Sequence, residues 1–519
     1  MVAGPTAATS ANAMGGDRVT VPAAPLDAAE VRSLEVTRRF GTVGALLMAI
    51  GALGAGANPV DNPLFGLRVL GLPTRNYTVS LAIICAGVAM VVLAWLWLGR
   101  LARPGRERLL SRGQLDRTVA MWAAPLVLAP PLFSKDVYSY LAQSAMVARG
   151  IDPYTTGVAE GMGVADPLVR TIPSLWRDTP APYGPLFLGL GRGITALAGE
   201  NVVASVLLHR VLALAGLAMI VWAVPRLARR FGADPVAALW LGAANPLVLF
   251  HLVSGVHNEA LMIGLMVAGL EVALARSWVL GAVLISLAAM VKVPAVLALA
   301  FLGVVLARRW GGRIRDLARA AAVMLGIVAA VTVAIGAGSG LGFGWMFALG
   351  TPNAVRSWLS PITDLGSLGG HVGILLGLGD HTDAALSLTR SVGLAAAAGV
   401  CVWLLWSCFR DRMDALTGLG VGLGAVVLLG PVVHPWYLLW AAIPLACSAT
   451  ASAPHAGGYR RAAVVLSVAL ALLVPPTGQD FYLRAFVLLQ AIAGAAVILA
   501  APLLLVRGKL PPRTPRVVA

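Results

Sequence analysis

Long apolar segments recur along nearly the whole chain, and short polar connections separate them. Most of them run for roughly 17–25 residues, the length that an α-helix needs to cross a bilayer. The pattern predicts an all-α polytopic membrane protein with about 14 transmembrane helices, within a range of roughly 12–16. The predicted spans are 40–57, 78–99, 117–133, 203–224, 236–252, 257–275, 278–291, 294–307, 317–337, 389–408, 415–433, 436–450, 461–475 and 482–506.

Arginine-rich connections orient this series of spans. Cytoplasmic loops of membrane proteins carry an excess of Lys and Arg. If both termini lie in the cytoplasm, every arginine-rich connection falls on the cytoplasmic side, which favours an even number of crossings. The predicted localisation is therefore the plasma membrane, multi-pass, with both termini cytoplasmic. The connections are Arg100 to Arg117, Arg226 to Arg230, Arg308 to Arg319, Arg410 to Arg412, Arg460 with Arg461, and the C-terminus.

Two further apolar segments, Tyr183 to Gly199 and Leu365 to Gly379, do not fit as crossings. Counting either one alone as a span would push an arginine cluster to the outside. We therefore interpret both as interfacial or re-entrant helices packed on the outer surface. The short spans on either side of Val291 to Pro294 are interpreted as a hairpin of half-length helices with its vertex toward the outside.

The domain prediction follows from the same pattern. Residues 1–37 are rich in Ala, Gly, Thr and Pro and are interpreted as a disordered cytoplasmic tail. Residues 38–507 form one integral membrane domain with large outer loops at about 133–202 and 338–388. Residues 508–519 are a second cytoplasmic tail.

Composition excludes a soluble protein, because 59% of the 519 residues are hydrophobic and only 12% are charged. The net charge of +16 could suggest a nucleic-acid partner, but the arginines fall between spans, so it is interpreted as topological and no nucleic acid is expected. All four cysteines lie inside apolar stretches and are interpreted as core residues.

Polar residues of the predicted outer face concentrate in four places, which we hypothesise to converge above the helix bundle. They are the loop 133–182 with Asp136, Arg149, Asp152 and Tyr154, the turn Ser254 to Glu259, the loop 338–381 with Asn353, Arg356, Trp358 and Asp364, and the segment 433–437.

Asp136 is the most informative of these residues. It follows an apolar run and is flanked by Lys135, Tyr138 and Tyr140, at the level where lipid meets water. These residue types suit a substrate in which a sugar is linked to a lipid phosphate. Transfer of the sugar would need a carboxylate to take a proton, a cation to stabilise the leaving phosphate, and aromatic rings to contact the sugar. Helix capping is the alternative reading of Asp136.

Other candidates also have structural alternatives. Glu259 begins a span and either stabilises its N-terminus or acts as a second functional carboxylate. Lys292 lies between two apolar half-helices and either snorkels to the interface or binds phosphate. Arg210, beside His209, either belongs to a buried structural pair or contacts a lipid headgroup. The segment His434 to Tyr437 is an aromatic belt or part of the site.

No metal site is expected. The nearest approach to a ligand set has a spacing that favours a solvated loop. It comprises His371, Asp380, His381 and Asp383.

Several motifs together resemble one family, the actinobacterial polyprenyl-phosphomannose-dependent α(1→6) mannosyltransferases of the MptA/MptB type. The similarity covers nearly the whole chain from about residue 40. The motifs are Phe133 to Tyr140, Gly150 to Tyr154, Pro180 to Leu186, Gly255 to Met262, Thr351 to Asn353 with Trp358, and His434 to Tyr437.

The resemblance implies a GT-C fold and an active site on the extracytoplasmic face. It implies transfer of mannose from polyprenyl-phosphate-mannose to a phosphatidylinositol-mannoside or lipomannan acceptor, in building the α(1→6) mannan core of lipomannan and lipoarabinomannan. Asp136 corresponds to the catalytic aspartate of the first outer loop. A β-linked donor and an α-linked product imply inversion, with Asp136 as the general base.

The remaining assignments combine this resemblance with the residue chemistry. Lys292, Arg356 and Lys135 are expected to contact the donor phosphate. No cofactor or metal is expected. The residues expected to line the sugar and acceptor subsites are Tyr138, His257, Asn258, Glu259, His434, Trp436 and Tyr437.

Two alternatives stay open. The first is the same fold with another polyprenyl-phosphate sugar, arabinofuranose or glucose. The second is a lipid or polysaccharide transporter, which would be expected to place charges near the bilayer midplane and to show repeat symmetry. The polar groups of this chain gather at one end of the predicted helix bundle, which favours the enzyme.

Overall fold

A computed structural model describes residues 24–104, 106–448, 456–478 and 485–511 of the chain. Helices dominate it, and the predicted all-α architecture is confirmed. Among the described residues the strands are the parallel pair β1, Ala24–Pro25, and β2, Arg108–Leu109. The helices are α1 Ala28–Ala55, α2 Tyr77–Leu101, α3 Arg112–Leu128, α4 Asp136–Ala148, α5 Val158–Met162, α6 Pro167–Thr171, α7 Pro185–Ala198, α8 Val202–Arg230, α9 Pro235–Gly242, α10 Glu259–Ala275, α11 Trp278–Ala289, α12 Leu297–Trp310, α13 Ile314–Ser339, α14 Pro361–Leu375, α15 Thr382–Phe409, α16 Ala415–Leu428, α17 Leu438–Ser448, α18 Ala456–Leu473 and α19 Ala485–Val506.

Short helices of tighter or wider winding connect these elements. The wider one is a π-helix, Val248–Ser254, which precedes α10. The tighter ones are 3₁₀ turns at Leu72–Arg75, Ser174–Trp176, Val293–Val296, Gly344–Met346, Ala348–Ala354 and Pro435–Tyr437.

The helices support membrane embedding. In the described part of the chain, 7 helices are long and apolar enough to cross a bilayer, and an eighth results if the π-helix and α10 form one broken span. The other predicted spans coincide with helices that are not among these, so the count of 14 crossings stays a prediction. The seven are α1, α2, α8, Val293–Trp310, α13, α15 and α19.

The first helix begins earlier than expected. Helix α1 starts at Ala28, inside the stretch 1–37 that we interpreted as a tail. Its start is a capping box, in which Asp27 accepts the backbone N–H of Glu30 and the Glu30 carboxylate accepts that of Asp27. Glu30 also pairs with Arg106. Residues 1–23 of this predicted tail, and 512–519 of the C-terminal one, lie outside the described residues.

The first predicted outer loop contains a helix that sequence reasoning did not anticipate. Helix α4 begins at Asp136, and its residues 137–147 are all buried. Both segments expected to form non-crossing helices are indeed helical, as α7 and α14. Residues 137–147 of the first loop are therefore a packed part of the protein.

Two small residues set the contact between α8 and α10. A Cβ added at Gly216 would lie 2.1 Å from the Ala260 carbonyl oxygen, and one added at Gly264 would lie 2.5 Å from the Gly216 oxygen. The two backbones therefore touch, as in other small-residue contacts between membrane helices. This contact fixes the first turn of α10, which carries Glu259.

We expect Gly216→Ala to lower the stability of the purified protein by about 1–3 kcal/mol, since the backbone of α10 must move to admit the methyl group. Thermal unfolding in detergent measures the effect. Gly326→Ala on α13 is the control, because nothing lies within 4 Å of its added Cβ. Equal unfolding temperatures for the two variants would show that the contact is not tight.

Candidate active site

A sharp break before α10 forms one side of the candidate site. The π-helix Val248–Ser254 and α10 meet at an angle of 110°. Val256 in the break has a φ of 59°, a left-handed conformation that a β-branched residue rarely adopts. Gly255 allows the close turn, because a Cβ there would lie 3.0 Å from His257 Cδ2. Strain of this kind often marks a functional site.

The start of α4 forms the opposite side. Phe133 also has a positive φ, of 68°, and its amide donates to the Pro476 carbonyl at 2.8 Å. Its ring stacks on Phe250 with centroids 5.0 Å apart. Ser134 Oγ then accepts the Asp136 amide at 3.0 Å. The backbone that presents Asp136 is therefore held from both sides.

One buried guanidinium joins the two sides. Arg210 on α8, which is 1% exposed, donates to the carbonyls of Val127 at 2.6 Å, Ala129 at 2.8 Å, Val253 at 3.1 Å and Ser254 at 3.2 Å. The first two carbonyls belong to the end of α3 and the others to the end of the π-helix. The sequence left Arg210 open as a buried structural residue or a lipid-headgroup contact, and these hydrogen bonds describe the structural role.

Glu259 lies at the centre of the cluster. Its side chain is 0% exposed and pairs with Lys292. Trp436 Nε1 donates to the same carboxylate oxygen at 3.2 Å, and His257 Nδ1 is 3.9 Å from the other oxygen. The charge of Glu259 is therefore surrounded by one cation and two polar rings.

Asp136 and Lys292 lie nearer the surface of the same cluster, with side chains 19% and 14% exposed. Asp136 Oδ2 is 3.5 Å from His257 Nδ1, and Lys292 Nζ donates to the Tyr437 hydroxyl at 3.3 Å. Burial, and then the negative charge of Glu259, raise the pKa of Asp136 to about 6, while Lys292 acts in the opposite direction. A carboxyl with this pKa can accept a proton near neutral pH.

Aromatic rings form a wall beside these charges. Trp436 stacks on His257 at 3.8 Å between centroids and on His434 at 4.6 Å. Lys292 Nζ lies 4.6 Å from the centre of the Tyr437 ring. Pro435 begins the 3₁₀ turn that carries these rings. The wall offers flat apolar faces to a ligand next to a cation.

Several buried polar groups of the cluster have no partner among the described residues. Both ring nitrogens of His251 and both amide atoms of Asn258 lack hydrogen bonds, although these side chains are 0% and 3% exposed. Buried polar atoms are costly unless they are satisfied. Their concentration here is a feature of sites that bind polar ligands.

The structure brings most of the predicted site residues together. Asp136, which opens the first loop, meets the turn before α10, Lys292 and the segment that ends at Tyr437. Asn258 is beside them. The third predicted loop packs against this segment, where Ser357 Oγ donates to the Val433 carbonyl at 2.7 Å.

Three predicted residues have other surroundings. The Tyr138 hydroxyl donates to the Ala57 carbonyl at 2.8 Å, a contact that anchors the side chain, and its role as a sugar ligand stays a prediction. Arg356 is 62% exposed and pairs with Asp383 at 3.0 Å, outside the cluster. Lys135 is buried next to Asp136, and none of the ion pairs in the described part of the chain includes it.

Sequence reasoning missed two tyrosines of the site. Tyr140 packs edge-on against Tyr183 at 5.2 Å, and the Tyr183 ring centre is 5.9 Å from Lys292 Nζ. Tyr140 follows Asp136 by four residues, the spacing that places two side chains on one helix face. This four-residue spacing is visible in the sequence, but the polar residues after Phe133 favour a loop. Two further rings were also missed, His251, which packs at a tilt against Trp436, and Trp440, which stacks on Tyr437.

No three His, Cys, Asp or Glu side chains are arranged to hold a metal ion in the ranges that the structure describes. Metal independence stays a prediction.

Two known domain families match this sequence, one in its N-terminal part and one in its C-terminal part. Residues 38–308 match the family described as α-(1→6)-mannopyranosyltransferase, N-terminal domain, and residues 362–505 match the MptB C-terminal domain. No solved structure matches the chain.

Relatives in three organisms cover most of the sequence. The chain is 48% identical to the probable α-(1→6)-mannopyranosyltransferase of Mycolicibacterium smegmatis, over 93% of this chain and 90% of the relative. It is 47% identical to an α-(1→6)-mannopyranosyltransferase of Mycobacterium tuberculosis, over 98% and 93%. It is 38% identical to α-(1→6)-mannopyranosyltransferase B of Corynebacterium glutamicum, over 85% and 77%.

We expect Arg210→Lys to destabilise the protein by about 2 kcal/mol or more, because an ammonium cannot reach four carbonyls that the guanidinium fork satisfies. Thermal unfolding of the ligand-free protein measures it. The matched control is Arg192→Lys, which alters an exposed arginine bonded to the single carbonyl of Ser339. Similar unfolding temperatures for both variants would contradict the role of Arg210.

Proposed function

The chain belongs to the MptA/MptB family of α-(1→6)-mannopyranosyltransferases, and we propose that it transfers mannose from polyprenyl-phosphate-mannose to an α(1→6) mannan acceptor of lipomannan or lipoarabinomannan. The observation that carries the proposal is the placement of Asp136 and Lys292, partly exposed, over the fully buried Glu259.

The proposed reaction is a single inverting displacement. The 6-hydroxyl of the acceptor attacks the anomeric carbon of the donor, a new C–O bond forms, and the bond from that carbon to the phosphate oxygen breaks. Asp136 takes the hydroxyl proton as the nucleophile attacks. Its raised pKa matches it to this role at neutral pH.

Lys292 is the proposed phosphate-binding cation. Negative charge grows on the phosphate as the sugar departs, and a fixed ammonium at low exposure stabilises that charge more than water would. The Tyr437 hydroxyl, 3.3 Å from Nζ, helps to fix the position of Lys292. Lys135, adjacent to Asp136, remains a second candidate for the phosphate, whereas Arg356 is exposed and lies outside the cluster, which gives no support to its assignment.

The aromatic wall is the proposed sugar-binding surface. His434 and Tyr437 are each partly exposed at its edge, and Trp436 is buried behind them. Asn258 has both amide atoms free to bind hydroxyl groups. Glu259 is better described as a positioning residue, since it is fully buried and its oxygens face Lys292, Trp436 and His257.

The direction of two helices supports an extracytoplasmic site. Glu259 opens α10, and Arg276 follows its end. Lys292 precedes α12, and Arg308 and Arg309 occupy its last turn. The cluster and the arginines are therefore at opposite ends, and the positive-inside rule assigns the arginine end to the cytoplasm.

Asp136→Asn tests the base. It keeps the shape of the side chain but removes the proton acceptor, so transfer to a synthetic α(1→6) dimannoside should fall by about 10²–10⁴-fold. The assay uses purified protein and polyprenyl-phosphate-mannose, with the linkage of the product established by NMR. Glu160→Gln, at an exposed carboxylate on α5, is the matched control and should retain activity.

Unchanged thermal unfolding and donor binding in Asp136→Asn would separate chemistry from folding. Substantial transfer by this variant would refute its role as base. If the wild type transferred arabinofuranose or glucose from the corresponding lipid-linked donor but no mannose, the proposed donor would be wrong.

The pH dependence of kcat/KM tests whether Glu259 raises the pKa of Asp136. The base acts only when deprotonated, so activity should fall as the pH drops through about 6. The donor is a phosphodiester and does not titrate in this range. Glu259→Gln removes a negative neighbour that raises the pKa of Asp136, so the acid limb should move to lower pH. An acid limb that stayed in place or rose would contradict this coupling, and Glu160→Gln again serves as the control.

A further inference from the structure

A cavity lies at the other end of the helices that carry the candidate active site. It has a volume of about 660 Å³, is open to solvent, and is lined by the ends of α8, α10, α12 and α15 and the start of α16. Its polar lining consists of Arg230, Arg308, Arg309, Arg412, Asp411 and Asp414. The mechanism proposed above uses none of these residues.

Two of the four arginines are already paired. Arg308 forms an ion pair with Asp411 at 2.7 Å. Arg230 donates two hydrogen bonds to Glu271, at 2.8 and 3.0 Å. Asp414 does not neutralise a further arginine, because its carboxylate accepts the amides that begin α16.

Arg309 and Arg412 are left over. No ion pair in the described part of the chain includes either of them. Both are exposed at the cavity, on different elements, α12 and the connection before α16. Two unneutralised guanidinium groups facing one space favour an anion, and the planar guanidinium suits a phosphate group.

The floor of the cavity is apolar. Phe231, Leu274, Val305 and Ala415 line it and also line a narrow crevice that continues into the bundle. A free phosphate ion has no apolar part, so the apolar floor would stay in contact with water. An anionic lipid would place its phosphate at the arginines and its glycerol and first methylene groups on the floor.

The position of the cavity fits the same occupant. Helix α10, with 17 residues, is about 25 Å long and separates Glu259 from the cavity. The cavity therefore lies at the arginine-rich end, where basic pockets between membrane helices meet anionic headgroups. We propose that this arginine cavity binds the phosphate headgroup of one anionic phospholipid.

Thermal unfolding of delipidated protein in neutral detergent tests the proposal. Phosphatidylglycerol should raise the unfolding temperature of the wild type, whereas phosphatidylcholine and inorganic phosphate should not. In the double variant Arg309→Gln/Arg412→Gln the affinity for phosphatidylglycerol should fall by about tenfold or more. The control is Arg229→Gln/Arg315→Gln, which removes the same charge near the same end from residues that do not line the cavity.

The lipid effect should persist in Asp136→Asn, since the two sites are separate. Native mass spectrometry provides a second readout that does not depend on stability, as one retained phosphatidylglycerol in wild type and control and none in the double variant. Equal stabilisation by inorganic phosphate would overturn the proposal of a lipid. Equal retention of phosphatidylglycerol by both double variants would overturn the proposal of this cavity.

Discussion

Glu259 is a fully buried carboxylate in an apolar helix bundle, and its charge is tolerable there only because it is paired. An unpaired ion in such surroundings costs several kcal/mol, as an order of magnitude. Lys292, Trp436 and His257 supply the compensating contacts. The start of α10, the turn before α12 and the segment before α17 must therefore meet, and this requirement assembles the candidate site without a ligand.

The second carboxylate depends on the first. His257 lies between Asp136 and Glu259, and the negative charge of Glu259 adds to burial in raising the pKa of Asp136. Two neighbouring carboxyl groups in different environments can thus take different roles. In the proposed mechanism the buried one holds the cation and the aromatic wall in place, and the partly exposed one exchanges a proton with a ligand.

The sequence predicted the helices well because long apolar runs have few alternatives in a membrane. It also singled out Asp136, Glu259 and Lys292, which the structure brings together, since charges beside apolar runs are costly and therefore conspicuous. It failed on α4, whose polar residues suggested an open loop although the helix is buried, and Tyr140 therefore did not stand out. The bonds of Arg210 to four carbonyls depend on tertiary geometry, and no local pattern encodes them.

Charge is segregated along the helices in a way that serves two purposes. Glu259 lies in the first turn of α10, and arginines occupy the last turns of α8 and α12. These positions suit the helix dipole, and arginines placed in this way would orient the chain by the positive-inside rule. The same segregation leaves the cluster at one end of α10 and α12. A transport pathway would need functional charges near the middle of the spans, so this distribution favours chemistry at one membrane face over passage through the bilayer.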